Sequence, residues 1–209
     1  MSTLLRIDSS PLGDASISRR LTQEFQDNWQ RVHPQGQVIV RDLSTTSIPV
    51  ITAEWVGAAY TPEASRTPRQ KEVLALSDTL IAELQTADEY VFGVPMHNFS
   101  IPSSLKLWID QIARAGKTFS YQSGAPKGLL LDKKATFLVS SGGSYDAGTA
   151  LASFNFVEPY LRAAMAFLGV TDTSFLSASG VSAVNSGKVD RTTFLQPHLD
   201  SIRARFQAA

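Results

Sequence analysis

The chain has 209 residues, of which 43% are hydrophobic and 18% charged, a composition typical of a globular protein with one sizeable core. Its 19 basic and 19 acidic residues cancel, so net charge favours neither a nucleic-acid nor a membrane partner. The chain contains no cysteine, which excludes disulfides, thiolate catalysis and cysteine-ligated metals. With no basic apolar leader and no run near the ~18 apolar residues of a membrane span, we expect a cytoplasmic protein.

Strand and helix patterns alternate along the chain. Short apolar runs predict strands, and apolar residues spaced by three or four predict helices. In chain order, the predicted elements are strand 3–7, helix 17–32, strand 37–42, a short helix in 54–60, a helix opened by the capping-box spacing of TPRQ at 67–70, strand 89–94, helix 101–112, strand 135–140, helix 154–168, strand 174–177 and a helix around 194–206. This alternation predicts a single α/β domain over 1–209, with helices on both faces of a parallel sheet.

Three local signals refine these elements. Gly116 is placed to end the helix that begins near 101. The segment 117–133 predicts a hairpin with its turn at Ser123-Gly124. Pro197 falls inside the last helical pattern, so that helix either starts after the proline or bends there.

Three polar loops follow predicted strands and form the candidate site. They are SSPLGDASIS at 9–18, PMHNFS at 95–100 and SSGGSYDAG at 140–148. Open parallel sheets bind ligands at the carboxyl ends of their strands, near the point where the strand order reverses. In a flavodoxin-like order 2-1-3-4-5, the three loops would meet at one edge of the sheet, so we predict a shared site there.

The serine-rich loop precedes a long helix, whose first turn exposes unpaired N–H groups and partial positive charge. A phosphate placed there would accept these bonds, with the hydroxyls of Ser10, Ser16 and Ser18 as further donors. Alternatively, Asp14 or Ser16 only caps the helix and the other serines are solvated. The loop alone leaves both interpretations open.

Other site motifs have little support in the sequence. Neither the G-x-G-x-x-G of a dinucleotide site nor the G-x-x-x-x-G-K-[ST] of a P-loop is present. GGSYD at 142–146 is similar to a nucleophile elbow, with Ser144 as nucleophile and His198 later in the chain, but Asp146 stands where the elbow needs glycine. His97 is either a general base or a loop histidine without a titration role, and we favour the second interpretation.

Several segments together resemble one known family. SSPLGDASIS, PMHNFSIPSSLKLWID and SSGG are similar to the FMN-binding segments of bacterial FMN-dependent NADH azoreductases, which are flavodoxin-like quinone reductases. RDL, IPV, TPRQ, ALSDTLIAEL and ARAG also resemble that family, so the resemblance extends along essentially the whole chain. It implies a three-layer flavodoxin-like fold whose five-stranded parallel sheet has the order 2-1-3-4-5.

The resemblance also implies FMN as the cofactor, without a metal. The residues implied around the phosphate are Ser10, Ser16, Ile17 and Ser18. Those implied around the isoalloxazine are Met96, His97, Asn98 and Phe99 on one side and Ser140, Ser141, Gly142 and Gly143 on the other. Aromatic residues that could border the substrate, each also explained by ordinary packing, are Tyr60, Phe119, Tyr121 and Phe154. Many relatives have Tyr in place of His97 and some have Arg in place of Ser141, which puts substrate range and nicotinamide preference in doubt.

The chemistry implied by the resemblance is two-electron, ping-pong hydride transfer from NADH or NADPH through FMN. A quinone would be reduced, or an azo bond cleaved to amines in two rounds, at flavin N5 and without a catalytic side chain. The resemblance further implies a homodimer with its sites at the subunit interface. The alternative is a non-enzymatic flavodoxin-type electron carrier, although such carriers tend to be strongly acidic and this chain is neutral. The physiological acceptor stays open.

Overall fold

The computed structural model describes residues 2–121 and 124–207. Its strands are β1 (Thr3–Asp8), β2 (Gln37–Asp42), β3 (Glu89–Pro95), β4 (Phe119–Ser120), β5 (Lys127–Gly128), β6 (Lys134–Ser141) and β7 (Asp172–Ser179). Its α-helices are α1 (Ile17–Val32), α2 (Ala53–Tyr60), α3 (Pro68–Thr86), α4 (Ser103–Ile112), α5 (Val157–Leu168), α6 (Val181–Asn185) and α7 (Arg191–Arg205). Within the described residues, no helix combines the length and the apolar character needed to cross a membrane.

Five strands form one parallel sheet in the order β2-β1-β3-β6-β7, which confirms the predicted order. β1 pairs with both β2 and β3, so the strand order reverses there. The register places Asp8 beside Gly93 and Pro95 beside Ser140. The carboxyl ends of β1, β3 and β6 therefore lie at one edge of the sheet, and the three polar loops leave from that edge.

Helices cover both faces of the sheet and complete three layers. On one face, α1 and α7 pack their apolar side chains, including Trp29, against strand residues such as Leu4 and Val91. On the other face, α3, α4 and α5 pack against Leu5 and Phe92 in the larger core cluster. Successive residues of a strand face opposite sides of the sheet, which explains why neighbouring leucines of β1 belong to different clusters.

The predicted hairpin in 117–133 is present as the antiparallel pair β4 and β5. Of its predicted turn, Ser123 lies outside the described residues. β5 passes so close to the end of α5 that a Cβ added at Gly128 would lie 2.1 Å from the backbone nitrogen of Gly169. Only glycine allows this approach, so the hairpin depends on that position.

Several helix boundaries differ from the predictions. α4 ends at Ile112, and Gly116, with a φ of 77°, instead belongs to the turn before β4. α5 begins at Val157, because Phe154 lies in a preceding short 3-10 helix.

The last helix also differs from its prediction, since α7 begins at Arg191 and includes Pro197 in its interior. The side chain of Asp190 accepts the amide of Thr193 at 2.9 Å and caps the helix before the proline is reached. α6 was not predicted at all, because a helix from Val181 to Asn185 is too short to show a periodic pattern.

Candidate functional site

A cleft lies at the carboxyl edge of the sheet, where the loops after β1, β3, β6 and β7 meet. Its lining consists of Ser10, Leu12, Ala15, Ser16, Ile17, Pro95, Met96, His97, Ser140, Ser141, Gly142, Val181, Val184, Asn185 and Arg191. This lining, drawn from the described residues, contains no Asp or Glu and has the Arg191 guanidinium as its permanent cation. The cleft therefore suits a ligand that carries negative charge and an apolar body.

The structure brings most of the predicted FMN-binding residues together in this cleft. Those in its lining are Ser10, Ser16, Ile17, Met96, His97, Ser140, Ser141 and Gly142. Those within two residues of the lining in sequence, but not part of it, are Ser18, Asn98, Phe99 and Gly143. The roles of all twelve toward FMN stay predictions.

Ser16 begins α1 and combines two possible roles. Its hydroxyl accepts the Arg19 amide at 3.2 Å, so Ser16 is the N-cap. The same hydroxyl lies 3.2 Å from the Ser18 hydroxyl, and both side chains are buried. Because a hydroxyl accepts and donates at the same time, the two serines share one bond and retain one proton to donate outward. Capping and phosphate binding are therefore compatible.

The first turn of α1 also presents unpaired amides. Within residues 2–121 and 124–207, the amides of Ile17 and Ser18 have no backbone acceptor, whereas that of Ser16 donates to the Gly13 carbonyl at 3.1 Å. Such amides at the start of a helix, together with the partial positive charge of the helix dipole, bind anions.

An ion-pair network lies behind this loop. Arg19 donates to the Ser10 carbonyl at 3.2 Å and to Asp42 at 2.7 Å, and its guanidinium lies 3.5 Å from the buried carboxylate of Asp8. Burial acts to raise the pKa of Asp42, but hydrogen bonds from Arg19 and Ser44 outweigh it and lower the pKa to about 2. The hydrogen bond to Asp42 raises the pKa of Arg19. The charge of Arg19 is thus neutralised by carboxylates and fixes the loop instead of facing the cleft.

The loop after β3 is a tight turn with a strained centre. His97 and Ser100 exchange backbone hydrogen bonds of 2.9 and 3.0 Å. Asn98 and Phe99 between them have φ values of 48° and 72°, a region that asparagine tolerates but that a bulky residue such as Phe99 rarely occupies. The Phe99 ring lies 5.2 Å from that of Phe154, so contacts with the segment before α5 hold the strained turn in place.

Main-chain bonds join the loops after β3, β6 and β7. The Met96 amide donates to the Ser140 carbonyl at 2.7 Å, and the Ser182 amide donates to the Gly142 carbonyl at 3.2 Å. A Cβ at Gly142 would lie 2.8 Å from the Ser182 hydroxyl, so glycine permits this approach. The contribution of the loop after β7 to the site was not predicted from the sequence. The fifth strand is parallel to the others, so its carboxyl end must lie at the same edge of the sheet.

The four aromatic residues predicted near the substrate lie in different environments. Phe154 contacts Phe99 beside the cleft. Tyr60 and Tyr121 are exposed but do not line the cleft. Phe119 is buried in the core against Phe167, at a centroid distance of 4.6 Å, which leaves little of its ring to contact a substrate.

The hydrolase alternative has no supporting geometry. The Ser144 hydroxyl donates to Asp146 at 3.1 Å and, in the part of the chain that the structure describes, has no histidine as a partner. His198 lies on α7, where burial lowers its pKa.

Comparisons with known proteins agree with this architecture. Residues 2–204 match a protein family described as having a flavodoxin-like fold. An FMN-dependent NADH:quinone oxidoreductase of Acidobacterium capsulatum is 52% identical over 203 residues, which are 97% of this chain and 98% of that relative. FMN-dependent NADH:quinone oxidoreductase 3 of Burkholderia lata is 50% identical over 206 residues, which are 99% of this chain and 100% of that relative. The crystal structure of azoreductase AzrA superposes with a TM-score of 0.87 at 25% identity and covers 100% of both chains.

The two curated relatives and the solved structure match this chain over nearly its whole length. They confirm the resemblance indicated by the three polar loops. The chain belongs to the flavodoxin-like family, among the FMN-dependent NADH:quinone oxidoreductases.

Proposed function

We propose that this protein is an FMN-dependent NADH:quinone oxidoreductase that binds FMN in the cleft, with the phosphate at the start of α1. The curated relatives at 52% and 50% identity carry this cofactor and activity in their names. One structural observation carries the proposal: the buried Ser10 and Ser16 and the unpaired amide of Ile17 belong to the lining of a cleft that includes no carboxylate.

The residues present fit both ends of FMN. The phosphate end is served by the amides of Ile17 and Ser18 and by the hydroxyls of Ser10, Ser16 and Ser18. The ring end is served by an apolar lining and by the backbone of the loops after β3 and β6. The apolar side chains of this lining are Leu12, Pro95, Met96, Val181 and Val184.

FMN held by these residues would supply two-electron hydride chemistry, and we propose that NADH and the acceptor would use the same cleft in turn, in a ping-pong sequence. The side chains and backbone of the cleft would bind the flavin and the substrates, orient them and exclude water from around them. The bond from Met96 to Ser140 keeps two walls of the cleft at a fixed separation. An azo compound needs two rounds for cleavage to amines, and the similarity to azoreductase AzrA supports this second class of acceptor.

The first test is the absorbance spectrum of the purified protein, followed by anaerobic addition of NADH or NADPH. We expect a yellow protein whose flavin bands bleach with a nicotinamide donor, and the two bleaching rates give the donor preference. A colourless protein that takes up no added FMN would contradict the proposal.

Steady-state kinetics test the sequence of steps and the carrier alternative. Initial rates with NADH varied at several quinone concentrations should give parallel double-reciprocal lines. Intersecting lines would indicate a ternary complex and contradict the ping-pong sequence. A carrier would oxidise almost no NADH with a quinone unless a partner protein were added.

We further propose that the protein is a homodimer with its sites at the interface. The cleft of one chain encloses about 190 Å³, below the ~300–1,000 Å³ usual for small-molecule pockets. Exposed apolar side chains lie beside it, including Leu12, Phe99, Phe154 and Phe156, and such a patch favours a protein partner. Light scattering coupled to size exclusion should give twice the chain mass of 22.7 kDa, and a monomer that retains FMN and activity would contradict this proposal.

A further inference from the structure

Arg191, the first residue of α7, reaches from the end of the chain to the loop after β1. Its guanidinium donates to the carbonyls of Ala15 at 2.9 Å, Asp14 at 3.0 Å and Ser16 at 3.3 Å. These three carbonyls belong to successive residues immediately before α1. One side chain therefore holds the whole entry to that helix, and it also lines the cleft.

The bonds from Arg191 fix the direction of the loop amides as well as its carbonyls. A peptide group is planar, so the carbonyl of one residue and the N–H of the next point in opposite directions. Holding the Ser16 carbonyl thus orients the N–H of Ile17, one of the two unpaired amides. The guanidinium also offsets the partial negative charge of three carbonyls that would otherwise oppose an anion.

Arg191 and Arg19, on the two sides of the loop, differ in whether a carboxylate neutralises their charge. Arg19 is paired with Asp42 and Asp8. Among the ion pairs formed by residues 2–121 and 124–207, none involves Arg191. Its guanidinium is therefore a cation at the cleft with no carboxylate partner within 4.0 Å in those ranges.

We infer that Arg191 is a positioning residue for the phosphate end of FMN, which pre-orders the loop before α1 and supplies positive charge there. The inference rests on the proposed function, because it requires FMN in this cleft. It predicts that the residue matters for a flavin with a phosphate and little for a flavin without one.

The test compares FMN with riboflavin, which lacks the phosphate, on the apo-protein. Dissociation constants are measured by flavin fluorescence for wild type, Arg191→Met and Arg191→Lys. Arg191→Met should weaken FMN binding by about ten- to a hundredfold, because it removes bonds that a charged donor makes. Riboflavin binding should stay within about twofold of wild type, since the ring end is unchanged. Arg191→Lys should recover part of the loss, because it keeps the charge without the planar fork.

Arg205→Met is the matched control, since Arg205 lies at the other end of α7 and donates at 3.0 Å to Ser174, near the amino end of β7 and away from the cleft. It removes the same charge from the same helix and should leave both flavin affinities unchanged. A second readout is amide exchange in the apo-protein, which should rise at residues 14–17 in Arg191→Met and stay unchanged in Arg205→Met.

Three outcomes would overturn the inference. Equal losses for FMN and riboflavin in Arg191→Met would show a merely structural role for α7. An FMN affinity unchanged in that variant would show that the contacts do not act on the phosphate. If wild type itself binds riboflavin as tightly as FMN, the phosphate does not lie at this loop. A wild-type protein that binds neither flavin would instead reject the proposed function.

Discussion

Ser16 and Ser18 allow the two roles of the start of α1 to be measured separately. Ser16→Ala removes the acceptor of the Arg19 amide, and loss of an N-cap typically lowers the free energy of unfolding by about 1 kcal/mol. The Ser18 hydroxyl bonds only to that of Ser16 among the described residues, so Ser18→Ala should lower it by about 0.5 kcal/mol. Both values refer to the apo-protein.

FMN binding should weaken in addition to the loss of stability. A hydroxyl that donates to a phosphate contributes about 1–3 kcal/mol, and 1.4 kcal/mol corresponds to about tenfold in affinity. Because Ser16 and Ser18 retain one outward proton between them, the double variant Ser16→Ala with Ser18→Ala should bind FMN about five- to a hundredfold more weakly. Ser16→Gly separates the effects further, because glycine at the N-cap costs only about a few tenths of a kcal/mol of stability but lacks the donor.

The assay pairs urea denaturation of the apo-protein with fluorescence titration of FMN. Thr52→Ala is the control, since Thr52 caps α2 by accepting the Trp55 amide at 3.1 Å and does not line the cleft. It should lose as much stability as Ser16→Ala and keep its FMN affinity. If the double serine variant binds FMN within twofold of wild type, the phosphate does not lie where we place it.

Three further predictions concern pH, packing and His97. The pKa of Asp42 is lowered to about 2 from an ordinary 3.8. This shift corresponds to about 2 kcal/mol of folding stability, which is present above pH 4 and is lost as the pH falls toward 2. In urea denaturation, the stability of Asp42→Asn should not show this fall between about pH 4 and pH 2. Gly128→Ala places a Cβ 2.1 Å from the Gly169 nitrogen and should destabilise the fold by about 3 kcal/mol. Gly57→Ala is its control, because a Cβ at this position in α2 meets nothing within 4 Å. This second variant should raise the melting temperature. His97→Phe should leave the pH dependence of NADH:quinone turnover unchanged, and loss of one limb of that profile would make His97 a general base.

The fold was predictable wherever one pattern dominated a segment. The bounds of α1 agree with the prediction, because its apolar spacing and the serine before it indicate the same start. The last helix was predicted, but its start was placed too late, because the cap at Asp190 was not recognised and Pro197 suggested a later start. A proline costs a helix only one donor and some strain, so α7 can contain it. Gly116 was placed at a helix end, but α4 had already ended at Ile112 and the glycine serves the following turn.

The site was predictable from topology more than from any motif. Three polar loops after strands were enough to indicate the edge of the sheet, and the structure brings residues from all three into one cleft. The fourth loop was missed because its α6 shows no polar cluster or periodicity. Arg191 was missed for a different reason: its partners Asp14, Ala15 and Ser16 precede it by 175 to 177 residues, and nothing in the local sequence distinguishes it from a solvated helix residue.

Overall neutrality and an anion site are compatible because they act at different distances. Equal numbers of acidic and basic residues leave no long-range field to attract a polyanion, which is why composition does not favour nucleic acid as a partner. A single phosphate is recognised within hydrogen-bond distance, where only the lining matters. There Arg19 is neutralised by Asp8 and Asp42, whereas Arg191 bonds to main-chain carbonyls. The local excess of positive charge thus comes from the distribution of partners, and the total charge of the chain contains no information about it.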